Sequence, residues 1–165
     1  KTQYSFFQIM LWIGIVDLIA LYVNSVSFGV LLIEGAVYCS HPTYIWITGC
    51  LGLGSWCGES IGCLILVMNR IAENLNLGKF VNNKTPFFLV LATSYMIFFT
   101  IFTPPVLMNS PAKAMFFDPF ISKNLETYVS WIHTINNIFV VLTSTLFYFL
   151  LCVVLTLRNV RLITS

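Results

Sequence analysis

Two carboxylates, Asp17 and Glu59, stand isolated inside long apolar runs. An ionised carboxylate withdrawn from water is costly, so such residues hold a proton, pair with a cation or face a wet cavity. Asp17 lies 11 residues beyond Phe6, and Glu59 lies 11 residues before Arg70. At the 1.5 Å rise of a helix, each is roughly 16 Å from the same end of two adjacent antiparallel elements. Two like charges at one depth in a low dielectric do not both ionise freely. Asp17 and Glu59 therefore read as a protonated pair or a small-cation site, or else as two separate neutral acids, each hydrogen-bonded on its own.

A second set of polar residues falls in the last apolar run, where His133, Asn137, Ser144 and Tyr148 recur at helical spacing with Asn136 beside them. Asn24 and Ser27 continue the Asp17 face by similar spacing. These residues either line a ligand pocket, for which Asn24, His133, Asn136 and Asn137 are the candidates, or bond helix to helix at about 1 kcal/mol or less per contact. Gly54, Gly58 and Gly62 recur every fourth residue and form a strip that admits a close neighbouring helix. Arg70 lies within about 20° of Glu59 on the helical wheel, beside this strip, so both are expected to face protein. No catalytic constellation appears. His41 and His133 lie on different elements with no paired-ligand spacing, and there is no GxSxG motif and no phosphate- or dinucleotide-binding glycine loop. The sequence calls for no cofactor or metal and does not read as an enzyme.

The elements that must position these residues follow from composition. Of 165 residues, 58% are hydrophobic and 8% charged, against about 25% charged in an ordinary soluble domain. With a mean hydropathy of +0.89, the natural solvent is membrane lipid. The net charge of +2 and the lack of dense basic runs exclude nucleic acid as a partner. Five cysteines are an odd number, and all but Cys39 sit in apolar runs, as small buried residues do. Crossing about 30 Å of hydrocarbon takes roughly 20 apolar helical residues. Four stretches qualify, at about 6–33, 45–69, 86–108 and 128–157. Their apolar character is continuous rather than alternating, which predicts helices and not a barrel. The expectation is an all-α membrane protein forming one transmembrane domain over residues 1–165. Pro104-Pro105 near the end of the third stretch is expected to end or kink that helix. The chain opens on Lys1 without a signal-peptide pattern, and further elements are expected beyond both ends.

Charge sets the expected orientation. Lys1, Arg70, Lys79, Lys84, Arg158 and Arg161 fall on one side and Lys113 and Lys123 on the other. The positive-inside bias places both chain ends and the 70–85 loop in the cytoplasm, and the 34–44 and 109–127 loops outside. The sequon Asn83-Lys84-Thr85 is then out of reach of glycosylation.

In the second stretch, Tyr38-Cys39-Ser40-His41-Pro42 leads into Tyr44-Ile45-Trp46-Ile47-Thr48-Gly49, and the run closes on Asn69-Arg70. Further on come Phe98-Phe99-Thr100-Ile101-Phe102-Thr103-Pro104-Pro105-Val106-Leu107, Asn109-Ser110, Phe116-Phe117-Asp118-Pro119-Phe120-Ile121, and His133 with Asn136-Asn137. In order and spacing the whole chain resembles the nematode serpentine chemoreceptors of class T. The resemblance implies a seven-helix G-protein-coupled receptor bundle, of which these spans are the second to fifth helices. It implies that Arg70 matches the arginine that ends the third helix of rhodopsin-like receptors and contacts the G protein. Asn69 replaces the neighbouring acid and Ile71 the aromatic residue, so no ionic lock to an adjacent carboxylate is expected. Asp17 matches the mid-membrane acid of the second helix in such receptors, and Glu59 a contributor to their sodium pocket. The usual disulfide to the second outer loop has no counterpart, and a partner for Cys39 would lie in other parts of the receptor.

The resulting expectation is a chemosensory receptor of the plasma membrane. An unknown small extracellular molecule binds among the outer halves of the helices and biases a two-state bundle whose inner end engages a heterotrimeric G protein. The competing reading is a self-sufficient four-span channel, transporter subunit or scaffold that uses Asp17 and Glu59 as an ion or proton relay.

Overall fold

The computed structural model describes residues 2–75, 77–118 and 128–164. Lys1, Lys123 and the Pro119, Phe120 and Ile121 of the motif above lie outside them. In chain order the elements are α1 (Thr2–Leu21), a π-helical turn (Tyr22–Ser27), α2 (Phe28–Ile33), α3 (Pro42–Asn74), α4 (Gly78–Phe102), β1 (Leu107–Asn109), β2 (Ala114–Phe116) and α5 (Trp131–Thr164). Among the described residues, four helical stretches are long and apolar enough to cross a bilayer: Tyr4–Ile33, Pro42–Asn74, Asn83–Phe102 and Trp131–Val160. Ile9, Asn69, Phe88 and Leu150 line one common cavity, so the start of α1, the end of α3, the start of α4 and the later part of α5 share one end of the bundle. Successive spans therefore run antiparallel.

Local chemistry explains where the helices stop. The first span closes in a Schellman motif: Ala36 N–H donates to Leu31 O at 2.9 Å and Gly35 N–H to Leu32 O at 3.1 Å. Gly35 takes the positive φ of 65° that this closure requires. α3 opens with Pro42 in its first turn, where a missing N–H costs nothing. Its 33 residues make a rod of about 50 Å, longer than the roughly 30 Å of hydrocarbon. Residues 70–85, expected as a loop, are helical apart from the short link between Asn74 and Gly78, and the Asn83 sequon lies within α4.

α4 ends at Phe102 and not near Met108. Thr103 precedes Pro104, whose ring disfavours helical backbone in the residue before it, and Thr103 is extended at φ −115° and ψ 152°. Its hydroxyl turns back to donate to Phe99 O at 2.6 Å. The freed segment forms the β1–β2 antiparallel hairpin, with Met108 opposite Met115. This strand pair departs from the purely helical expectation. It docks on the turn after the first span: Ser110 N–H donates to Ala36 O at 3.2 Å and the Ser110 hydroxyl to Leu31 O at 3.1 Å. Leu31, Ala36, Ile45, Leu107 and Met108 bury one another beneath that contact. α5 starts beside Ser130, whose Oγ accepts from His133 N–H at 3.4 Å.

α3 is the hub, packed against α1, α4 and α5. Lipid supplies no hydrophobic drive between helices, so close backbone approach and interhelical hydrogen bonds must hold them together. A Cβ on Gly54 would overlap the Thr100 hydroxyl of α4, and one on Gly58 would meet Met96 at 3.0 Å. Gly62 faces α1 instead: its Cβ would meet Trp12 at 2.8 Å and Ile13 at 2.9 Å. The glycine strip thus serves two neighbours. Trp12, seated over Gly62, crosses to donate from Nε1 to the Thr93 hydroxyl of α4 at 3.0 Å. Gly49 adds a contact absent from the expected strip, since a Cβ there would overlap Val106 O of the extended segment after α4.

Candidate functional site

Near the hairpin end, Asn24, Gly52, Leu53, Trp56, Val106 and His133 enclose a cavity of about 220 Å³. Three devices build it. The π-helical turn carries Asn24 onto its wall. Gly52 lets Val23 approach α3, where a Cβ would meet Val23 at 3.1 Å. α5 supplies His133, whose ring lies 5.4 Å from that of Trp56 and 5.0 Å from that of Phe117, beyond the hairpin. Phe117 appeared in the sequence only as part of a motif. Nothing in its spacing announced a ring against His133, because the partner comes from another element.

The four ligand-pocket candidates separate. Asn24 and His133 line the cavity. Asn137 supports His133, its Nδ2 lying 3.1 Å from His133 Nε2. An amide nitrogen only donates, so Nε2 accepts and the neutral ring carries its proton on Nδ1. That buried Nδ1, and the buried Asn137 Oδ1, have no partner among the described residues. Asn136 does not line the cavity. It is buried at 5% exposure, accepts a hydrogen bond from the Tyr95 hydroxyl of α4 and donates from Nδ2 to Cys57 Sγ of α3 at 3.6 Å. Asn136 therefore ties three helices together. Tyr148, expected on the same inward face, is 52% exposed.

Asp17 stands on an exposed face of α1. Glu59 and Cys63 of α3 lie within electrostatic range of it, across the α1–α3 contact. Ser27, one turn past Asn24, is fully buried. Among the described residues no group of three His, Cys, Asp or Glu side chains is placed to hold a metal ion.

At the opposite end Arg70 is partly exposed. Its carboxylate partner comes not from position 69 but from one helical turn on: Arg70 Nη1 is 3.2 Å from Glu73 Oε2. The guanidinium also stacks over Phe6 of α1, 3.8 Å from the ring centroid. Asn69 donates from Nδ2 to the other Glu73 oxygen at 3.2 Å. Asn74 donates to Arg70 O at 2.8 Å and accepts from Arg158 of α5 at 2.7 Å. Glu73 was not singled out in the sequence, and Phe6 and Arg158 entered only as a depth marker and a counted charge. Glu73 was open to the i, i+3 rule; the other two come from distant segments.

Four apolar spans with polar groups gathered between them define a multi-pass helical membrane protein. The family model of the serpentine type 7TM GPCR chemoreceptor Srt matches residues 1–165, and the chain belongs to that family. It is 29% identical over 158 residues to serpentine receptor class T-55 of Caenorhabditis elegans, covering 94% of this chain and 44% of that receptor. The chain thus spans less than half the length of the curated relative it matches. No solved structure matches. The family is one of receptors and not of enzymes, and it does not favour the four-span channel reading.

Proposed function

We propose that the chain forms the ligand-binding and coupling part of a G-protein-coupled chemosensory receptor at the plasma membrane. The observation that carries this reading is the cavity shared by Asn24, Trp56 and His133, whose buried imidazole N–H has no partner among the described residues. At about 220 Å³ it suits a small organic molecule. An aromatic wall with the Asn24 amide and the His133 ring on it favours a compact apolar body that presents a hydrogen-bond acceptor. The ligand acts on a two-state bundle, and Arg70 at the far end contacts the heterotrimeric G protein. Asp17 and Glu59 form a mid-depth site for a proton or small cation between the two ends.

The test uses the full-length receptor in a reporter cell exposed to a panel of small carbonyl and ether compounds. His133→Leu should cut the potency of an active compound by about tenfold or more, the worth of one buried hydrogen bond, at normal surface expression. Arg70→Ala should silence signalling and leave compound binding in place. Signalling that persists in Arg70→Ala removes that residue from coupling, and unchanged potency in His133→Leu removes the pocket. Sodium or pH sensitivity that survives in Asp17→Asn with Glu59→Gln would dispose of the shared ionic site.

A further inference from the structure

The turn between the first span and α3 carries an ion pair that the site above does not use. His41 Nε2 lies 3.3 Å from Glu34 Oε2, and the two side chains are 53% and 50% exposed. A pair so open to water gains little from its own attraction. What sets it apart is the backbone that presents each member. Glu34 caps the first span, its N–H donating to Val30 O at 3.0 Å, and the Schellman closure through Gly35 and Ala36 follows directly. His41 caps α3: its carbonyl accepts from Ile45 N–H at 3.0 Å, and Pro42 comes next. Between them Ser40 closes the turn on itself, its N–H and its hydroxyl both donating to Val37 O, at 2.9 and 2.7 Å. An imidazole and a carboxylate are thus set side by side by the ends of two helices and not by their mutual attraction.

Imidazole nitrogen and carboxylate oxygen are both zinc donors, at about 2.0–2.2 Å from the metal. Held at the tetrahedral angle, two such donors stand about 3.3 Å apart, which is the separation of His41 Nε2 and Glu34 Oε2. The metal takes the place of the hydrogen between them, and the neutral ring then carries its proton on Nδ1. Half of each side chain is open, so water reaches the far side of a bound ion. Among the described residues no third His, Cys, Asp or Glu joins the pair. The two side chains therefore fill half of the tetrahedral positions and water the rest. Hard dications fit poorly: calcium takes about six to eight oxygen ligands and magnesium demands an octahedron of oxygens, whereas one of the two donors here is an imidazole nitrogen, which suits zinc.

We propose that Glu34 and His41 form a zinc-binding clasp at the hairpin end, in which the metal bridges the end of the first span to the start of α3.

The test takes purified full-length receptor in phosphatidylcholine nanodiscs and follows diethylpyrocarbonate modification of His41 by mass spectrometry of its peptide. Zinc chloride should slow the modification, and calcium or magnesium chloride at the same concentration should not. Glu34→Gln keeps the shape of the side chain and removes its charge. It should raise the zinc concentration for half-protection about tenfold or more, since loss of even an indirect partner of a metal ligand costs that much. Cys39→Ser removes the exposed thiol nearest in sequence and should leave half-protection where it was. Half-protection unchanged in Glu34→Gln would mean that a lone imidazole holds the metal, and protection lost in Cys39→Ser would make the site a thiolate one. Either result overturns the proposal, as does protection by calcium equal to that by zinc. The comparison of cations uses the unaltered receptor and so decides the matter whether or not a variant folds.

Discussion

His133 and Asn136 are three residues apart on α5 and meet different surroundings. Asn136 spends its amide on Tyr95 and Cys57, whereas His133 keeps a buried nitrogen unpaired beside a cavity. Spacing along one helix put both on a common face, and only the partners brought by α3 and α4 separate a tie from a binding residue. Arg70 shows the same dependence at the other end. Asn69, which stands where an acid was looked for, bonds the same Glu73 carboxylate that holds Arg70. An exposed ion pair is worth about 0–1 kcal/mol, and here the carboxylate is also partly buried and shared, so its loss frees both partners. Glu73→Gln should raise ligand-independent signalling of the full-length receptor several-fold at constant surface expression. Basal activity equal to wild type would mean that the pair does not restrain Arg70. The Arg70 candidate came from the family resemblance and not from its spacing; its restraint was not legible at all, because Phe6 lies 64 positions away in the chain.

Among the elements, the two most consequential features are a turn and a set of gaps. The π-helical turn over Tyr22–Ser27 widens the first span locally and resets the register of Asn24 relative to Asp17. No hydrophobic period records that change, since the flanking helix is apolar on every side. The glycines are the converse case. Their spacing in α3 was plain, yet the identity of the helix that each one admits was decided by packing. Gly54 meets Thr100, whereas nothing lies within 4 Å of a Cβ at Gly14. Gly54→Ala should therefore lower stability by about 1–3 kcal/mol, as overpacking does. Gly14→Ala should stay within about 0.5 kcal/mol of wild type. Thermal unfolding of the purified full-length receptor in detergent checks the pair, and equal Tm shifts would show that Gly54 is not a contact point. Pro104 and Pro105 were legible as a stop, but the hairpin that follows was not. Three-residue strands carry no periodic signal of their own, and this one is held by the turn after the first span.

For the molecule as a whole, orientation is the property that a bundle cannot report about itself. The charge distribution predicts the Arg70 end inside and the hairpin end outside, and two native groups can report on it. Cys39 is exposed beside the hairpin end. After mild reduction it should react with a membrane-impermeant maleimide on intact cells, and Asn83 should carry no glycan. A glycan on Asn83, or Cys39 labelling only after permeabilisation, would invert the arrangement. Four spans, their helical nature and their solvent were determined by the sequence alone. Continuous apolar runs of about 20 residues have one stable form in lipid, because every backbone N–H and C=O must find its partner within the segment. The tertiary structure decided what no single run contains: which face of each helix meets α3, which buried polar atoms are satisfied across helices, and that two cavities lie at opposite ends. In lipid both the lining and the outer faces of a helix are apolar, so the contrast that reveals a core in a water-soluble chain is missing. Interhelical packing and a few hydrogen bonds then choose the interior.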